Sequence, residues 1–386
     1  MDRKFKERIE KIICLLPEKN IIIFESIPDF SDNSRAVFDE MLRQGINKKY
    51  RLIWCCHTAT VLPPELQGAE NVECVSVHSL RYRYYLSFCA KAFVISNNFL
   101  SKRSERQYYL YVTHGAAFKG IKDHRYKVPE GCYGCDFVTF SEYMGHYDAK
   151  NLLADGKVKL LPVGYARNDV LFHPPVDLHR IFPSFTFDQA VYWLPTFRQK
   201  ITYDIEKTKQ YTETTIPIIH DPKAAEGVNA CAKKNGILLI VKPHPLQDIS
   251  LINTEGYSNI VFIDNTFLEA SGVKNYEVMG ACDALLTDYS SVYYDYLLCD
   301  KPIGLCWEDF EEYRENEGFI IDPDEVMGGG KKLYTEQDLC QFLQALKDGE
   351  DSLSEERQNI KNKVHQYADG DAASRTVAHI LNRIEG

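Results

Sequence analysis

Nowhere in the chain's 386 residues do eighteen apolar positions follow one another, so no segment reads as a bilayer-spanning helix. Neither GxGxxG nor GxxxxGK(S/T) occurs, which speaks against a dinucleotide oxidoreductase or a P-loop enzyme. Positive charge is in the minority. The 45 Lys and Arg face 55 Asp and Glu, a formal net charge of −10, and a nucleic-acid partner is not expected. A second CxxC pair is missing as well. CYGC (Cys132–Cys135) stands alone, so no metal or cofactor is expected. The first twenty residues, MDRKFKERIEKIICLLPEKN, are charged and helical in pattern and lack the apolar core of a signal peptide. The expected location is cytoplasmic, which permits work at the inner membrane face.

What is present is the composition of a globular protein, 45% hydrophobic and 26% charged, long enough for two domains. The twelve cysteines sit mostly in apolar segments (Cys14, Cys55, Cys56, Cys89, Cys282, Cys299, Cys306) and read as reduced core residues. Two stretches are locally basic: SKRSERQ (Ser101–Gln107), which reads as a solvated turn, and HGAAFKGIKDHRYK (His114–Lys127).

Strand-like runs alternate with helical patterns along the chain. NIIIFES (Asn20–Ser26), YRLIWCC, KAFVISN, YYLYVTHG, DFVTFS and VKLLPVGY read as strands. Between the first two lies SRAVFDEMLRQG, a helix with Ser34 as N-cap and Gly45 near its end. The proline-rich LFHPPVDLHRIFPSFTFD reads as an interdomain linker. After it the alternation resumes with QAVYWLPT, ILLIVKPHP, NIVFID, ALLTD and PIGLCW as strands, and the chain closes on helices from about Thr335 to Ile384. The expectation is an α/β protein of two Rossmann-like domains with parallel sheets facing across a cleft. They would cover residues 1–180 and 181–386, with the last helices packing back on the first domain. Such a pair suits a nucleotide-linked substrate, because ligands bind beyond the carboxyl ends of parallel strands.

Those strand ends carry chemistry. LLTDYSSVYYDYLL (Leu285–Leu298) ends a strand in Thr287-Asp288-Tyr289 and opens a helix at Ser290 or Ser291. Helix capping by Asp288 or Ser290 and anion binding at the helix start are compatible readings. VKPHP places Lys242 and His244 at a second strand end, and VTHGAAFKG places His114, Gly115 and Lys119 at a third. A histidine near a cleft suits a general base. PTFRQ and GYARND each put an arginine, Arg198 and Arg167, just after a strand, where it can fork onto phosphate. Together these strand ends describe a site for an anionic, diphosphate-bearing substrate.

In this order the segments resemble the CDP-glycerol glycerophosphotransferase family of teichoic-acid polymerases and primases. THGA (Thr113–Ala116) matches its WHGT, GYARND (Gly164–Asp169) its GYPRND, and LPTFR (Leu194–Arg198) its APTWR. LLTDYSSVYYDY matches its LITDYSSVMFDY nearly residue for residue, and FESIPDFSDN (Phe24–Asn33) is similar to an early FES…SDN. The chain departs from the family at Val112-Thr113, at Ala116–Lys119 and at Ala166. The resemblance implies a GT-B-like fold with the donor held mainly by the C-terminal domain. It implies transfer of glycerol phosphate from CDP-glycerol to a hydroxyl of a lipid-linked or polymeric glycan acceptor, with release of CMP. His114 would be the general base, and His244 would stand beside the diphosphate as a second catalytic group. Gly115, Ala116, Ala117, Phe118, Arg167, Pro195, Thr196, Lys242, Ser290, Ser291 and Asp295 would line the donor site. Ser290 and Ser291 would hold the diphosphate, and Asp295 would reach a polyol or ribose hydroxyl. Membrane contact in so acidic a chain would depend on a local patch or a partner. Alternative readings are a CDP-ribitol-specific transferase, a GT-B glycosyltransferase using a nucleotide sugar, and a non-catalytic nucleotide-binding or scaffold protein.

Overall fold

The computed structural model describes residues 17–97, 106–119, 134–151, 156–196, 216–219, 221–244 and 256–386. The described residues form two compact units, one holding residues up to Ala116, 134–169 and His365–Gly386, the other Ala117–Lys119 and residues from Val170 to Val364.

In the first unit seven strands form one parallel sheet: β1 (Lys19–Glu25), β2 (Arg51–Cys56), β3 (Val72–Ser76), β4 (Ala90–Ile95), β5 (Tyr108–Tyr111), β6 (Asp136–Val138) and β7 (Lys159–Leu161), in the order β3-β2-β1-β4-β5-β6-β7. The central strand β1 places Ile22 opposite both Leu52 and Ala92, and its last five residues are buried on both faces. A continuous apolar run is therefore what this position requires. Strand order reverses between β1 and β4, the switch point at which parallel sheets open a crevice.

Helix α1 (Asp32–Arg43) follows β1 and starts two residues before the expected cap. Ser31, not Ser34, is the N-cap, and Asp32 takes a left-handed φ of 61°. Ser34 is buried inside the first turn, where its hydroxyl bonds Glu25 O at 2.8 Å and meets Ser96 Oγ at 2.8 Å. It joins α1 to both strands of the switch point. The C-terminal helix Ala372–Glu385 packs on α1 and is capped from a distance, its first two N–H groups donating to Asp169 at 2.9 and 2.7 Å.

The second unit repeats the plan with β8 (Gln189–Trp193), β9 (Ile237–Val241), β10 (Ile260–Phe262), β11 (Ala284–Thr287), β12 (Ile303–Cys306) and β13 (Lys331–Leu333), in the order β10-β9-β8-β11-β12-β13. Its switch point lies between β8 and β11. Helix α2 (Pro222–Asn235) has Asp221 as N-cap, Pro222 at its first position and Gly236 at φ 66° as its stop. It shares a core with Val191, Leu239, Leu286, Leu339 and Leu343. Two of the four edge strands, β3 and β13, carry charge (VECVS and KKL) and were not anticipated as strands, since an edge strand can trade apolar alternation for charge.

Candidate active site

Each unit gathers polar side chains at its own switch point. In the first, β5 ends at Tyr111, and the chain turns through Thr113 at a left-handed φ of 50° to present His114. His114 is exposed, and its ring faces the backbone of Ser96 just beyond β4. A ring N–H donated to a carbonyl leaves the other nitrogen as an acceptor, the state a general base needs. Desolvation by the surrounding protein lowers the ring's pKa. Asp32 opposes that shift, Arg167 adds to it, and Glu25 opposes it more weakly. His114 is therefore neutral, and able to accept a proton, at and somewhat below neutral pH.

Arg167 belongs to this unit. Its Nη1 donates to Asp32 Oδ1 and to His114 O, both at 2.6 Å, and its guanidinium lies 5.3 Å from the centre of the Tyr165 ring. A second histidine–carboxylate pair stands at the same sheet end and was missed from sequence. Buried Glu25, the last residue of β1, holds His57 Nε2 at 2.9 Å beyond β2. The signal was available, because YRLIWCCH ends a strand on a histidine as YVTHG does.

In the second unit the switch point is bridged by one fully buried carboxylate. Asp288, after β11, accepts the Thr196 N–H on both oxygens at 3.0 and 2.9 Å, and accepts the Thr196 hydroxyl too. It takes a further 2.6 Å bond from Tyr289 N, so it both shapes its own turn and ties β8 to β11. Thr196 Oγ1 then receives Lys119 Nζ at 3.4 Å.

Residues Ala117–Lys119 form part of this unit. Phe118 is buried against Phe319 and Tyr294, its carbonyl accepts Ile320 N at 2.9 Å, and Lys119 bridges antiparallel to Phe319. Gly115 and Ala116 stay with the first unit.

Beyond β9, Lys242 is half-buried and His244 exposed. Desolvation lowers the His244 pKa, and the charges of Lys119 and Lys242 lower it further. Lys242 is itself lowered by burial, with Asp264 opposing. Three basic side chains thus converge where a chain of net charge −10 would otherwise repel an anion. Pro195 is buried beside Thr196.

Ser290 and Ser291 are half-buried ahead of the short helix α3 (Val292–Tyr296); Ser290 Oγ accepts Val292 N at 3.4 Å, and Ser291 makes no side-chain cap bond. Asp295 on α3 is buried and accepts Tyr276 OH at 2.7 Å. Arg198, Cys132 and the basic run beyond Lys119 lie outside the described residues. Among the described residues no group of three or more His, Cys, Asp or Glu could hold a metal ion, and no helix is long and apolar enough to cross a membrane.

The chain is similar to several known proteins. The teichoic acid ribitol-phosphate polymerase TarL of Staphylococcus aureus (strain NCTC 8325 / PS 47) is 23% identical over 95% of this chain, which spans 63% of that relative's length. The teichoic acid poly(glycerol phosphate) polymerase of Bacillus spizizenii (strain ATCC 23059 / NRRL B-14472 / W23) is 23% identical over 96% of this chain and 94% of its own. A solved structure of the wall teichoic acid polymerase TagF shares the fold, with a TM-score of 0.74 at 19% identity over 99% of this chain and 94% of that one. The family model described as CDP-glycerol:poly(glycerophosphate) glycerophosphotransferase matches residues 9–382. By that match over nearly its whole length, the chain belongs to the CDP-glycerol:poly(glycerophosphate) glycerophosphotransferase family.

Proposed function

We propose that the protein transfers a polyol phosphate, glycerol phosphate first of all, from a CDP-polyol to a hydroxyl of a lipid-linked or polymeric cell-surface acceptor. His114 removes the acceptor proton. The freed oxygen attacks the phosphorus that carries the polyol, the bond to the bridging oxygen breaks, and CMP leaves with that oxygen. Such a transfer depends on positioning and charge neutralisation more than on covalent catalysis. The observation that carries this reading is the convergence of Lys119, Lys242 and His244 beside Thr196 at the second unit's switch point. A diphosphate there would meet two fixed cations, a histidine whose protonated form it would stabilise, and the hydroxyls of Ser290 and Ser291. Asp295 and Tyr276 supply a buried acceptor and donor for a polyol or ribose hydroxyl.

A second reading, CDP-ribitol as donor, is favoured by the two ribitol-phosphate polymerases among the similar proteins. In either case the work would be done on the cytoplasmic side, in peripheral contact with the membrane.

The test separates base from donor site. His114→Ala is expected to lower transfer at least 100-fold, in keeping with the contribution of a positioned base of about 10²–10⁴, while calorimetric affinity for CDP-glycerol stays within about twofold of wild type. Full turnover by the variant at saturating donor would remove His114 from the base role.

A further inference from the structure

Three consecutive backbone carbonyls, those of Val112, Thr113 and His114, are each bonded to a side chain from elsewhere in the first unit. Asn33 Nδ2 donates to Val112 O and to Thr113 O, both at 3.0 Å. Arg167 Nη1 donates to His114 O at 2.6 Å. The two holders also grip each other, for Arg167 N donates to Asn33 Oδ1 at 3.1 Å. Asp32 Oδ1 completes the frame, accepting Arg167 Nη1 at 2.6 Å and Asn33 N at 2.8 Å.

The amide of Asn33 is fully buried and uses both of its N–H donors and its oxygen. Its orientation follows from the partners, because the flipped amide would aim its oxygen at two carbonyls. The turn it holds is strained at Thr113, a non-glycine residue at φ 50°, with Thr113 Oγ1 donating to Tyr165 OH at 3.1 Å. A left-handed threonine persists only where its surroundings over-determine it, and here two side chains do so.

We propose that Asn33 is a positioning residue for the transfer reaction: by fixing the carbonyls just ahead of His114 it sets where the imidazole stands. The proposal rests on the reading of His114 as the general base. Asn33 touches no reacting atom. Its effect passes through the backbone of 112–114 to the ring, whose other restraint is the Ser96 backbone. Ser96 is held in turn, since Ser34 N, the residue after Asn33, donates to Ser96 Oγ at 3.2 Å. Both restraints on the histidine therefore originate in the first turn of α1. The charged groups that face the ring are Asp32, Arg167 and Glu25.

The experiment compares wild type with Asn33→Ala and Asn33→Asp. The second keeps the volume and the acceptor for Arg167 N, but replaces the two donors with an oxygen. Both are expected to lower kcat by about 10- to 100-fold, the scale of a misplacement near 1 Å, with CDP-glycerol affinity unchanged. The His114 ring signal in NMR, identified by its loss in His114→Ala, should shift and titrate closer to the ordinary histidine range.

A packing role alone predicts that the isosteric Asn33→Asp keeps kcat, and that result would overturn the proposal; its added charge moves the titration in either case, so the titration is read in Asn33→Ala. If neither variant folds, Asp32→Asn takes their place. It releases Arg167 from its anion and should lower kcat about threefold to tenfold at constant donor affinity, and an unchanged kcat counts against the frame. A His114 signal that moves in Asn33→Ala, in a protein that releases no CMP even as wild type, keeps the positioning and discards the transfer reading. Normal transfer with an unmoved signal does the reverse.

Discussion

At the scale of single residues, the chemistry was legible wherever one side chain closes a strand. Lys242, His244, Ser290 and His114 could be picked out because a buried run stops at each of them. What could not be read were partnerships across the chain. Asp288 lies 92 positions from Thr196, and Asn33 lies 79 positions from Val112. No spacing rule links such pairs; only the parallel sheets bring them together. From the sequence Asp288 reads as a candidate helix cap, while the structure has it shape its own turn and anchor Thr196. Replacing it with alanine would leave the buried Thr196 N–H unpaired, at a cost of about 1–3 kcal/mol. Thermal unfolding of Asp288→Ala should show that loss, and CDP-glycerol affinity should fall with it.

The pH dependence belongs to the same scale. Since the His114 pKa is depressed below the ordinary 6.5, the base is already neutral there, and the acid limb of kcat should fall below pH 6.5. A limb centred above 6.5 would mean that a different group is the base. His244 is held down by desolvation and by its two lysine neighbours, so a bound diphosphate should raise its pKa. Proton uptake on donor binding, measured by calorimetry in buffers of different ionisation enthalpy, checks this.

Among elements, the central strands were legible because full burial writes a continuous apolar run, as in ILLIV of β9. Two of the edges, β3 and β13, were not, because a charged three-residue strand such as KKL looks like surface. Helix starts were placed within a turn but not at the residue, since Ser31 and Ser34 are both plausible caps and the strained Asp32 decides between them.

Close approach between elements sets a further expectation. A Cβ on Gly329, ahead of β13, would lie 2.6 Å from Arg357 Cα in the helix Ser354–Val364. Backbone cannot yield as a side-chain tip can. Gly329→Ala should therefore cost about 1–3 kcal/mol, read as a drop in the denaturation midpoint. A variant as stable as wild type would mean that this helix moves freely.

At the scale of the whole molecule, the same strand order occurs twice, and each copy carries its polar groups at its own switch point. The chain's last helix returns to the first sheet and is fastened there. Buried Asp136 at the start of β6 accepts His379 Nε2 at 2.7 Å and Tyr108 OH at 3.0 Å. Burial alone would raise this carboxyl, yet the hydrogen bonds from His379 and Tyr108 win and hold it below its ordinary 3.8. A depressed carboxylate contributes stability above its unfolded pKa and loses it as pH falls through the folded value. Acid unfolding should therefore begin below pH 4, and His379→Ala should shift that onset upward.

The most direct test of polyol-phosphate transfer is a donor panel with one acceptor. CDP-glycerol, CDP-ribitol and UDP-sugars are each incubated with a glycerol-phosphate oligomer, nucleotide release is followed, and the product is weighed by mass spectrometry. The expected result is CMP release with a product heavier by one or more polyol phosphates, from CDP-glycerol or CDP-ribitol alone. UDP release from a nucleotide sugar, or background release with every donor, would contradict it.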